Sequence, residues 1–66
     1  MEEGDIVGYQ NTHKRVLFGD MVIVHLLPNN RADVRRHNSD RQEVWTEYLS
    51  DLELLEHNPK MKGNTL

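Results

Sequence analysis

A small, sheet-dominated domain is what this sequence predicts, on three observations. Apolar residues are concentrated in short blocks, several rich in β-branched types, separated by glycine, proline and asparagine. At 66 residues and 36% hydrophobic content, the chain can hold one domain with a small core. The stretch Val44 to Glu56, VWTEYLSDLELLE, reads in two incompatible ways, and that choice decides whether the sheet is the whole fold.

The ordered part opens at Gly4-Asp5. Ile6, Val7 and Tyr9 make a short β-prone run that ends at Gln10-Asn11-Thr12. His13-Lys14-Arg15 is polar and reads as loop. Val16-Leu17-Phe18 then leads to a bend or bulge at Gly19-Asp20. Met21 to Leu27 is the clearest strand, and its continuous apolar character predicts a central strand covered on both faces. Pro28-Asn29-Asn30 ends it. From Ala32 to His37 the alternation about Val34 suits a half-exposed strand. Residues 1–57 are expected to form the domain, with a frayed tail over 58–66 after the stop at Asn58-Pro59.

Read as a helix, residues 40–57 place Val44, Trp45, Tyr48, Leu49, Leu52 and Leu55 on one face. Ser39 with Gln42 matches a capping box for that helix. The result is an α+β fold, a three-stranded sheet with a C-terminal helix. Against this stand Val44, Trp45, Thr46 and Tyr48, four strand-prone residues within five positions. Read as strand, turn and strand, the stretch breaks at Ser50-Asp51, and Leu52 and Leu54 close a small all-β barrel. Periodicity alone leaves both readings open.

Resemblance separates them. Gly4-Asp5-Ile6-Val7, Gly19 to Val24, Val34, Val44-Trp45 and Ser50-Asp51-Leu52-Glu53-Leu54 resemble the layout of small SH3-like barrels, including compact proteins common in phage genomes. The resemblance implies an all-β, SH3-like barrel of about five strands. Ser50-Asp51 then forms a one-turn 3₁₀ element, and Val22, Val24, Val34, Leu52 and Leu54 fill the core, with Trp45 against Ile23 or Val7. The opening is also similar to that of the plasmid-borne type II dihydrofolate reductases. Their pore motif, Val-Gln-Ile-Tyr, is not matched by Val44-Trp45-Thr46-Glu47-Tyr48, so no catalytic role carries over.

The chemistry-bearing residues are sparse. With no cysteine, disulfides and thiolate metal sites are excluded, and a reducing compartment is favoured. His13, His25, His37 and His57 are spaced by twelve, twelve and twenty residues, which matches no compact metal-ligand pair. The carboxylate pairs Glu2-Glu3, Asp51/Glu53 and Glu43/Glu47 lack a cleft to hold them in different environments. No phosphate loop or nucleophile motif is present. No enzyme, cofactor or metal is therefore expected. The longest apolar run is interrupted by His25 and is far too short for a membrane span, and the acidic start MEEGD is unlike a signal peptide. A cytoplasmic protein, in the host cytoplasm if viral, is the expectation.

Binding remains. Tyr9, Trp45 and Tyr48 are three of the chain's four aromatic residues, and in such barrels aromatics line a shallow groove for extended peptides. Arg31, Arg35, Arg36 and Arg41 lie close in sequence, against an acidic stretch from Glu47 to Glu56. The leading expectation is a non-enzymatic protein-binding module, an accessory protein of phage or mobile-element type that engages a host factor. The alternative is a nucleic-acid-binding module using the Arg31–Arg41 loop and Trp45, which the net charge of −3 disfavours. Leu17 and Phe18, read as an unprotected edge, are the expected centre of a homodimer, while Arg35 and Arg36 blunt another edge.

Overall fold

The computed structural model describes residues 1–40 and 43–58. Among these, five strands form one antiparallel sheet: β1 Ile6–Tyr9, β2 Met21–Leu27, β3 Arg31–Arg36, β4 Val44–Tyr48 and β5 Leu52–Glu56. Their order across the sheet is β4-β3-β2-β1-β5. A seven-residue helix, α1 Thr12–Phe18, joins β1 to β2, and a 3₁₀ turn, Leu49–Asp51, joins β4 to β5. The fold is small and sheet-dominated, with the five strands expected of the all-β reading, and residues 44–56 are strand, turn and strand rather than helix. Every residue of β4 pairs with β3, from Val44 opposite Arg35 to Tyr48 opposite Arg31. The Leu49 N–H then donates to the Asn30 carbonyl at 2.8 Å, which holds the turn against the β2–β3 hairpin. Strand-prone residues and cross-strand partners together override the local helical period.

The sheet is strongly curled. β1 and β4 are three strand spacings apart in order, about 14 Å in a flat sheet. Yet the Tyr9 and Trp45 side chains meet at 2.9 Å. Register shifts between Ile23 and His25 in β2, and between Ile6 and Val7 in β1, supply bends of the kind that curl a sheet. Asn29 and Asn30 close the β2–β3 hairpin with φ of 64° and 61°, a left-handed conformation that asparagine tolerates better than most residues. The Gln10 N–H donates to the Asp51 carbonyl at 2.9 Å, so the end of β1 is tied to the 3₁₀ turn.

Val7, Tyr9, Met21, Ile23, Ala32, Val34 and Leu52 form the buried core, with Phe18, Trp45 and Leu49 packed against its margin. Val22, Val34 and Leu52 are buried as expected. Val24 is only half-buried, and Leu54 is 45% exposed because β5 is an edge strand that leaves the core after Leu52: Glu53 to Glu56 are all exposed. Only Met21, Val22 and Ile23 of β2 are covered on both faces; beyond the bulge, His25 and Leu26 are exposed. Trp45 stands at the margin of the core, against Phe18 and Tyr9.

Two further expectations are corrected. His13-Lys14-Arg15 is helix rather than loop: Asn11 caps it by accepting from the Lys14 N–H at 2.9 Å. Gly19, at φ 67°, ends it by donating its N–H to the Arg15 carbonyl. Val16-Leu17-Phe18 is therefore the last turn of a helix and presents no strand edge. Likewise Arg35 and Arg36 blunt no edge, since β3 is paired on both sides. Among the described residues, no helix is long and apolar enough to cross a membrane.

Candidate binding groove

The helix α1 buries none of its residues fully, and it is held to the sheet by Arg15 and by the partly buried Phe18. The Arg15 Nε donates to the Tyr9 carbonyl at 2.8 Å, and a terminal nitrogen pairs with Glu53 on β5. Close packing over Gly8 makes room for this, since a Cβ there would stand 3.0 Å from Arg15 Nε. With α1 pinned, Phe18 comes to lie between two aromatic rings. Its centroid is 5.4 Å from that of Tyr9 and 5.7 Å from that of Trp45, both tilted.

This aromatic row lines an open groove of about 320 Å³. Lys14 Nζ stands over the Tyr9 ring and the Arg36 guanidinium over the Phe18 ring, each 5.3 Å from the centroid. Glu43 and Glu47 supply carboxylates along the β4 side. A second hollow of about 380 Å³, lined by Gly19, Asp20, Asn38 and Ser39, continues from the first and shares Phe18 and Arg36 with it.

The groove's polar floor is a relay of three groups. Trp45 Nε1 donates to the Tyr9 hydroxyl at 2.9 Å, and that hydroxyl donates to Glu47 Oε2 at 2.7 Å. Burial, and next the acceptor Glu47, raise the Tyr9 hydroxyl from an ordinary pKa of 10 to about 12. The phenol is thus a fixed neutral strut that orients Trp45.

The structure divides the residues that the sequence nominates. Tyr9, Arg36 and Trp45 meet at the groove. Side chains alternate along β3, and Ala32 and Val34 are buried, so Arg36 shares their face while Arg31 and Arg35 take the other. Tyr48 pairs with Arg31 and belongs to that outer face as well. Arg41 lies outside the described residues. Leu17 is 60% exposed, whereas Phe18 belongs to the groove. The basic segment Arg31–Arg36 is a strand with its arginines on two faces, not a loop presenting them together. Sequence reasoning missed Lys14 and Glu47 as groove members, and it assigned Phe18 elsewhere.

A second polar locus was also missed. The Asp5 carboxylate is fully buried and accepts from the Glu2 N–H at 2.7 Å, the Asn58 N–H at 2.9 Å and His57 Nδ1 at 2.8 Å. Burial opposes its charge, but the backbone donors of Glu2 and Asn58, and then His57, outweigh that and hold the carboxyl below its usual range. These partners come from both ends of the described chain, so the group fastens structure. Among the described residues, no three histidine or acidic side chains are placed to hold a metal ion. No family model, curated protein or solved structure matches this chain.

Proposed function

We propose that the chain is a non-enzymatic protein-binding module whose groove receives an extended segment of a partner protein. The row Tyr9–Phe18–Trp45 carries this reading. These rings lie at contact distance, the two ends of the row are joined by a hydrogen bond, and the groove along it is open. Such rigid aromatic surfaces bind extended, apolar or proline-containing segments with little loss of side-chain entropy. The small size and the resemblance to phage SH3-like barrels fit an accessory protein that engages a host factor. The division of the arginines between two faces weighs against nucleic acid, which needs its cations on one continuous surface.

The test is selection from a random peptide library, followed by titration of the chosen peptides against fluorescence of Trp45, the only tryptophan. Selected peptides should perturb Trp45 and lose binding with Phe18→Ala but not with Arg31→Gln. Peptides that leave Trp45 undisturbed would refute the groove. So would oligonucleotides that bind with a steep salt dependence and displace them.

A further inference from the structure

We infer that the partner segment carries an aspartate or glutamate side chain, received by Arg36 where the two hollows meet. This rests on the reading of the groove as a peptide site. Arg36 is the residue shared, with Phe18, by both hollows. Its guanidinium lies over the Phe18 ring, and its Nε is sealed from solvent with no hydrogen-bond acceptor among the described residues. No ion pair joins Arg36 to a carboxylate among the described residues, although Glu43, Glu47 and Asp20 line the same surface.

Glu47 turns one oxygen to Tyr9 and forms no ion pair with Arg36. An arginine stacked on an aromatic ring is oriented before its ligand arrives. With Nε covered, the terminal nitrogens are the part of the charge that can meet a ligand, and their fork matches a carboxylate. A segment that sets an apolar side chain on Phe18 and Trp45 therefore places its next residues beside this unpaired cation. The surrounding carboxylates oppose a polyanion more than a single negative group seated at Arg36, since a phosphate backbone would run past Asp20, Glu43 and Glu47. This makes Arg36 the residue that selects among extended segments, with the aromatic row supplying general affinity.

The experiment uses the full chain and short peptides, acetylated and amidated, with a Pro-Val-Pro core. A single Asp, Asn or Lys follows the core at one, two or three positions. Trp45 fluorescence reports binding, and nitrogen-edited NMR follows the Arg36 Nε–H. In at least one register, the Asp peptide should bind about tenfold more tightly than its Asn counterpart and shift the Nε–H resonance. Arg36→Gln should abolish that preference while weak binding of the Asn peptide persists. Arg36→Lys, which keeps the charge and loses the fork, should retain only part of it. Arg31→Gln, on the opposite face, should leave it intact. Equal binding of Asp and Asn peptides, or a preference for Lys, overturns the inference and leaves the groove reading standing. Binding by no peptide, with every variant melting normally, overturns both.

Discussion

Trp45 and Tyr9 are separated by 36 residues and joined by one hydrogen bond, indole N–H to phenol oxygen, at 2.9 Å. The same phenol donates to Glu47 two positions further along β4, so a single hydroxyl fixes both the ring and the carboxylate of that strand. It closes the curled sheet across the face where the groove opens.

Tyr9→Phe removes that hydroxyl and leaves the indole N–H without its acceptor. A loss of about 1–3 kcal/mol in unfolding free energy is expected, since the donor is partly buried. Chemical denaturation would measure it. Groove affinity should fall with it, because Trp45 loses its fixed orientation. An unchanged midpoint would show that the relay contributes nothing to stability.

Alkali should act on the same group. Its folded pKa of about 12 lies above the ordinary 10, so the stabilisation is complete below pH 10 and is lost as pH rises toward 12. In a Tyr48→Phe background Tyr9 is the only tyrosine, and tyrosinate absorbance then reports it alone. Its titration should run near 12 in the folded protein. A midpoint near 10 would mean that the hydroxyl is exposed to water.

The acid limb belongs to Asp5. Its folded pKa is lowered from 3.8, so its contribution is present above that value and is lost as pH falls through the lowered one. Asp5→Ala strands the buried donors of Glu2 and Asn58 and should cost about 2–4 kcal/mol. Asp5→Asn should flatten the dependence of melting temperature on pH in that range. A variant that keeps the parent's acid limb would place the sensitivity in another carboxylate.

Two leucines near the barrel's closure separate packing from hydrophobicity. Leu52 is 2% exposed and Leu54 is 45% exposed. Leu52→Ala should lose about 2–4 kcal/mol, and Leu54→Ala about 0.5 kcal/mol or less. Comparable losses at both sites would put the β5 register in error.

Self-association is expected at α1, through its exposed face rather than through a strand edge. Val16 and Leu17 are 79% and 60% exposed there, an apolar pair on the surface of the helix. Sedimentation should show association at high micromolar concentration, abolished by Leu17→Glu without change in melting temperature. A monomer throughout would leave the two side chains as solvated surface.

Most strands were legible because their signals are local. Met21 to Ile23 is apolar without interruption, Val34 alternates with charge, and Ser50-Asp51 breaks an otherwise ambiguous run. The helix α1 was not legible, because only Arg15 and Phe18 tie it to the sheet and it buries no apolar stripe for a period to reveal. Asn11, which caps it, was read as the end of a strand, a role the same residue type serves equally well. Of the aromatic row, Tyr9 and Trp45 were recognisable by type. Phe18 was not, since only the turn of α1 brings it between them. The buried acid at Asp5 was beyond reach for another reason: one of its backbone donors lies 53 residues away. Nothing near an acidic N-terminus announces a partner at the far end of the chain.

The Asp5 carboxylate has one oxygen on the Glu2 N–H and the other on the Asn58 N–H. The path into the barrel and the path out of it are therefore separated by little more than the width of one side chain. A unit with that geometry can be spliced into a surface turn of an unrelated protein without stretching its host, or cut and rejoined with a new starting point. Among the described residues, Tyr9, Phe18, Arg36 and Trp45 make no bond to that junction, so a transplanted barrel would carry its groove along.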